Sequence, residues 1–158
     1  MTSRSKKKKL TPNFSTDEFE VTSVEATNIL PAHYVPRVLA LCSAILQPIR
    51  DRFGPVEITS GFRDKYVNRT VGGSKSSQHV TAEACDFYCP DVDTAEVWDY
   101  IVRMVGMDWP VDQAIWYKET TGHIHISHTT RKKNRRQLLL KKKDGSYVAW
   151  ERYDDGNQ

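Results

Sequence analysis

A chain of 158 residues, 39% hydrophobic and with four tryptophans, is one domain's worth of sequence and can bury a core of its own. No stretch approaches the roughly 20 apolar residues of a membrane-spanning helix, and three cysteines without a C-x-x-C pair argue against a disulfide framework and a cysteine zinc site alike. The net charge of +3 hides an uneven distribution: residues 4–9 carry five basic side chains and 131–143 carry eight, with no acid in either, leaving ten basic against 20 acidic residues elsewhere.

In chain order, the first basic run reads as a disordered, solvated tail over residues 1–12. It leads into LTPNFSTDEF rather than an apolar run, so a secretory signal is not expected. Ser15 and Glu18 form a capping-box pattern that opens a short helix, STDEF. Pro36 opens a longer amphipathic helix in which Val38, Leu41, Cys42, Ile45, Leu46, Ile49 and Phe53 recur at helical spacing, bent at Gln47-Pro48 and ended by Gly54-Pro55. Strands are expected at about 56–60, 84–88, 112–117 and 122–128, and Asp93 with Glu96 caps a second core helix, TAEVWDYIVRMVG. Cys85 and Cys89 sit at the two ends of the ACDFYC strand as small buried side chains. Near the C-terminus QLLLKK and SYVAWERY flank Asp144-Gly145, a tight-turn signal. These elements predict an α+β fold, a mainly antiparallel sheet with helices packed on one side. The predicted organisation is the tail, a domain over 13–130, and a basic hairpin extension over 131–158 packed on that domain.

The chemistry lies in two segments. In SSQHVTAEACD, His79 and Asp86 are separated by six residues, and HIHIS follows at 123–127. Strand alternation puts Asp86 and Tyr88 on one face and Cys85 and Phe87 on the other. The same period puts His123, His125 and Ser127 on one face, with Ile124 and Ile126 toward the core. Two adjacent half-buried strands then hold Asp86 and His125 side by side, and His79 reaches in from the loop before the first. Two imidazoles and a carboxylate form a three-ligand set that leaves a fourth zinc position for water.

Together with ITSGFR at 58–63, Asn68, VGGS at 71–74, SSQH at 76–79, the A-x-D ending at Asp86, and DQ at 112–113, these segments resemble the zinc D-alanyl-D-alanine carboxypeptidase family. That family shares its fold with the hedgehog signalling domain and with phage cell-wall peptidases, and NFSTDEF and LQPIRDRFG look like its phage-type members. The resemblance covers roughly residues 13–128. It implies a hedgehog/DD-peptidase-like fold, zinc held by His79, Asp86 and His125, and Arg63 facing the substrate. A guanidinium there suits a carboxylate or a polarised carbonyl, because it holds two oxygens in a fixed geometry.

Two positions depart from the family pattern. Ala82 stands where Gly is usual, and a small residue fits there as long as the backbone does not require positive φ. Gly122 stands three residues before the last His ligand, where better-known members carry an acidic general base, which excludes that arrangement here. The remaining candidates for proton transfer are Glu119, on the connection between DQAIWY and HIHIS, and His123, on the face of His125. Phage-type relatives carry a Glu near that connection, where the register here brings Tyr117 closest. Glu83 and His128 are weaker, since alternation turns His128 away. Ser77 and Gln78 fix His79 or contact substrate.

The reading is a zinc-dependent, phage-type peptidase of peptidoglycan stem peptides, of D,D-carboxypeptidase or L,D-endopeptidase type, acting on the wall from the host cytoplasm or the virion. The alternative, kept alive by Gly122, is a catalytically silent metal-binding module for wall attachment or virion structure. The basic segments suit anionic wall polymers. A nucleic-acid-binding protein ranks below both readings and predicts salt-sensitive DNA binding that survives a chelator.

Overall fold

The computed structural model describes residues 7–150. The end of the expected tail belongs to the fold: Lys9–Thr11 (β1) pairs antiparallel with Phe14–Ser15 (β2). Leu10 packs against the core, and Thr11 donates from Oγ1 to Gln47 Oε1 at 2.8 Å, so tertiary contacts hold this end of the run in place. Residues 1–6 of that tail lie outside the described residues. The Ser15–Glu18 capping box is present, with the Ser15 N–H donating to Glu18 Oε2 at 2.6 Å. The segment it opens is a 3-10 turn, Thr16–Glu20, rather than an α-helix.

The long helix runs as Val35–Leu41 (α1), a π-helical turn Cys42–Leu46, and Gln47–Phe53 (α2). The irregularity expected at Gln47-Pro48 takes the form of that π turn. Pro48 has no N–H to offer the carbonyl four residues back, and that carbonyl, Ala44 O, instead accepts the Trp109 indole N–H at 3.0 Å. Val38, Leu41, Cys42, Ile45, Leu46 and Ile49 are all buried, as their spacing predicted. Burial of such side chains stabilises by roughly 1.5–3 kcal/mol apiece. A further helix, Lys65–Thr70 (α3), was not anticipated. Asp64 caps it, accepting the Val67 N–H at 2.7 Å.

The main sheet comprises Glu57–Ser60 (β3), Ala84–Tyr88 (β4), Gln113–Trp116 (β5), Ile124–Ser127 (β6), Gln137–Lys141 (β7) and Tyr147–Ala149 (β8), in the order β3-β4-β6-β5-β7-β8. Every neighbouring pair is antiparallel except β5 and β7. The expected hairpin extension is therefore an integral part of the sheet: β7 docks along β5, and the turn at Asp144-Gly145 returns the chain as β8. The part of that hairpin at 151–158 lies outside the described residues.

Alternation divides the sheet into two faces. Cys85, Phe87, Ala114, Trp116, Ile124 and Ile126 join α1, α2 and Thr94–Gly106 (α4) in one apolar core. Asp86, Ile115, His125 and Leu139 line a cleft on the other face. All three cysteines are free and buried. Burial pushes the Cys89 thiol up to about 11 and raises Cys42 and Cys85 as well, the behaviour of small buried side chains. No helix among the described residues is long and apolar enough to cross a membrane.

Candidate metal centre

Pairing of β4 with β6 sets Asp86 directly opposite His125. Asp86 Oδ1 lies 2.9 Å from His125 Nδ1 and 3.3 Å from His79 Nε2. One ligand atom from each of the three falls within 4.8 Å of the others, and all three residues are buried. His79 arrives from the preceding loop, whose carbonyl at His79 accepts the Arg63 N–H at 3.1 Å. Its Nδ1 sits 2.7 Å from Gly61 O; as a carbonyl can only accept, the proton belongs on Nδ1, and Nε2 keeps its lone pair toward Asp86. Gly61 is required for this, since a Cβ there would come within 2.5 Å of Phe19 Cα.

Two imidazole nitrogens and a carboxylate oxygen, with one ring oriented by a backbone carbonyl, match the donor set and the outer support of a three-ligand zinc site. Electrostatics agree. Burial raises the Asp86 carboxyl, but the hydrogen bond from His125 and the closeness of the His79 ring more than offset it and hold the group well below the usual range. Burial lowers His79, only partly countered by Asp86, so its ring is neutral, the form that ligates.

The cleft above these residues encloses about 760 Å³. Arg63 lines it, donating from Nε to Ser60 Oγ at 3.0 Å and reaching Asp86 Oδ2 at 3.4 Å. Asp64, its neighbour in sequence, is engaged in capping α3. His123 also lines the cleft. Its Nε2 lies 3.8 Å from Asp86 Oδ2, its Nδ1 meets the Thr121 hydroxyl, and its ring stacks on Tyr117 at 4.2 Å between centroids. Burial lowers its pKa, with the Asp86 charge opposing.

Glu119 is not brought to this group. Its carboxylate accepts from Lys142 Nζ at 3.1 Å and from the Lys143 N–H at 2.6 Å, at the β7–β8 turn, and it is not among the residues lining the cleft. The Lys143 N–H and Lys142 together lower its pKa. Ser77 and Gln78 line the cleft. The Ser77 hydroxyl accepts the His79 N–H at 3.3 Å, and the Gln78 amide donates to Asp112 Oδ2 at 2.9 Å. Glu83 is fully buried against Thr81 and Arg131, while His128 Nδ1 lies 2.6 Å from Pro110 O.

The two departures have structural counterparts. Gly122 has φ +78° and donates its N–H to Tyr117 O at 2.9 Å, so it closes the β5–β6 turn in a conformation that disfavours a side chain. Ala82 has φ +60°, the condition under which alanine replaces glycine at a cost of about 1–2 kcal/mol. Its methyl group is buried in the core, which offsets part of that cost.

The sequence reading overlooked what the basic C-terminal run does. Arg131 pairs with Glu83, Arg135 with Asp112, Arg136 with Asp108 and Lys142 with Glu119, so the appendage folds its charge back onto the acidic body. The combination of a basic run lacking acids and an acidic remainder was the available signal.

Residues 12–127 match the family model described as Peptidase M15, a span that includes His79, Asp86, His125 and Arg63 and stops before β7. Among curated proteins none matches the chain. The chain belongs to the M15 peptidases, the zinc-dependent D-Ala-D-Ala carboxypeptidase family, whose members act on peptidoglycan.

Proposed function

We propose that the protein is a phage-type zinc hydrolase of peptidoglycan stem peptides, of D,D-carboxypeptidase or L,D-endopeptidase type, working on the wall from the host cytoplasm or the virion. The observation that carries this reading is the convergence of His79, Asp86 and His125 on the floor of an open cleft that also holds Arg63. His79, Asp86 and His125 would hold the metal. When bound, zinc supplies Lewis acidity, which polarises a carbonyl and acidifies water. Arg63 steadies the negative charge of the substrate through a guanidinium fixed by Ser60. His123 moves the proton: it lines the cleft, and its Nε2 faces the Asp86 carboxylate. The engagement of Glu119 with Lys142 and Lys143 speaks against that residue. Ser77 and Gln78 hold the His79 loop at the edge of the substrate path, the first through the His79 N–H and the second through Asp112.

The test is incubation of the purified protein with peptidoglycan fragments, with and without a chelator, followed by mass analysis. Metal-dependent release of D-Ala or cleavage within the stem is expected. Intact fragments with zinc-loaded protein would reject the enzyme reading in favour of a silent metal-holding module for wall attachment or virion structure. Gly122 favours that second reading, because it offers no carboxylate three residues before His125, and Glu119 of the same turn is engaged by Lys142 and Lys143. Contact of the basic segments with anionic wall polymers belongs to either reading and predicts binding that weakens with salt.

A further inference from the structure

The segment after residue 127, beyond the part shared with the family, builds one wall of the cleft. Arg131, Lys132, Arg135, Leu139 and Tyr147 line it. Arg131 and Arg135 are fixed from behind by fully buried carboxylates. Glu83 takes Arg131 Nε at 3.2 Å and Nη2 at 2.5 Å, and Asp112 Oδ2 takes Arg135 Nε at 3.2 Å and Nη2 at 2.8 Å. This side-on fork leaves Nη1 of each guanidinium outside the pair while holding its plane. Each pair is neutral as a whole. Lys132 lies between them in sequence, is exposed, and has no ion pair among the described residues. The wall therefore presents one uncompensated positive charge flanked by two pre-oriented guanidinium groups, in the cleft that holds the metal centre.

Resting on the peptidase reading above, we infer that this wall is a subsite for a second carboxylate of the substrate, remote from the bond that is cut, and that it makes the protein favour free-acid stem peptides over amidated ones. An amide of the same shape has no charge to meet Lys132 and presents an N–H₂ group to donors that need an acceptor. A phosphate polymer shares the negative charge. A peptide acid is favoured because the ligand must also place a carbonyl beside Arg63 in the same cavity of about 760 Å³.

The experiment uses the peptide L-Ala-γ-D-Glu-L-Lys-D-Ala-D-Ala, in which D-Glu is joined to Lys through its side-chain carboxyl, with the D-Glu α-carboxyl either free or amidated. Calorimetry on metal-free protein gives affinities, and mass analysis with zinc gives cleavage. The free acid is expected to bind about tenfold more tightly, with the ratio shrinking as salt rises. Lys132→Gln, at an exposed residue with no partner to lose, is expected to bring the ratio near one. Lys133→Gln, outside the cleft lining, is expected to keep it. Equal affinities in the unaltered protein, or a preference that survives Lys132→Gln, would overturn the subsite. A glycerol-phosphate oligomer binding more tightly than the acid, through Lys132, would overturn the carboxylate assignment. Acid preference without cleavage leaves the subsite standing and removes the peptidase reading; cleavage without preference does the reverse.

Discussion

Asp86 on the cleft floor and the pair Glu83 and Asp112 behind its wall are all buried carboxylates, yet they have opposite fates. Glu83 and Asp112 each meet a guanidinium through two nitrogens at 2.5–3.2 Å. Asp86 meets two imidazoles at 2.9 and 3.3 Å and has longer contacts with Arg63 at 3.4 Å and His123 at 3.8 Å. A carboxylate clasped by a guanidinium is neutralised where it stands. One faced by imidazoles keeps its charge for a cation, and those imidazoles are ligands in their own right. The identity of an acid thus says little about its role; the base opposite decides it.

The sharpest way to break the contrast is Asp86→Ala. Zinc affinity should fall about a thousandfold, on the order of 4 kcal/mol, and the rise in melting temperature that zinc gives the intact protein should vanish. Undiminished zinc after dialysis would mean that the ligands are elsewhere.

Arg135→Ala tests the wall. It leaves Asp112 buried and charged, so urea unfolding should show a loss of about 2–4 kcal/mol, the range for a broken buried pair discounted for the half-exposed arginine, with zinc content unchanged. The pH dependence carries a definite sign. In the intact protein burial raises the Asp112 pKa, but Arg135 and Gln78 more than offset it and leave the group below its ordinary value. Its contribution is present above an unfolded pKa of about 3.9 and is lost as pH falls through the lower folded value. Without the guanidinium, burial raises the folded pKa, and acid then relieves the penalty. The stability gap between the two proteins should therefore narrow from pH 7 toward pH 4; a gap that stays constant would show that Asp112 is not the group in question.

Gly61→Ala should displace the Phe19 backbone and lose about 1–3 kcal/mol of stability, together with about 10–100-fold in zinc affinity through the carbonyl that orients His79. Loss of stability with full affinity would remove Gly61 O from the support of the metal. The smallest effect is expected from Ala82→Gly. Release of positive-φ strain and loss of a buried methyl group nearly cancel, so the melting midpoint should correspond to a change under about 1 kcal/mol.

Much of the site was legible because strand alternation is local. ACDFY and HIHIS each assign their own inward and outward residues, which located Asp86 and His125 on one face before any pairing was known. The long helix was equally legible from its apolar stripe. Glu119 misled because proximity in sequence stood in for proximity in space; the lysines that hold it lie 23 and 24 residues away. The basic run from 131 to 143 pointed to anionic polymers rather than to ion pairs within the fold because its acidic partners are remote, with Glu83 48 residues from Arg131. The helix α3 was not anticipated although its cap was written in the chain, since Asp64 accepts the Val67 N–H three residues on.

By itself the sequence determined which residues can bind a metal, which face of each strand they occupy, and where the chain turns, since these follow from the two-residue period of a strand and from the conformations open to Gly and Pro. The tertiary structure alone decided which buried acid keeps its charge and which basic residue keeps no partner, because both depend on strand order and register. The parallel docking of β7 along β5 brings Arg135 to Asp112 across 23 residues of chain, and no local pattern encodes that distance.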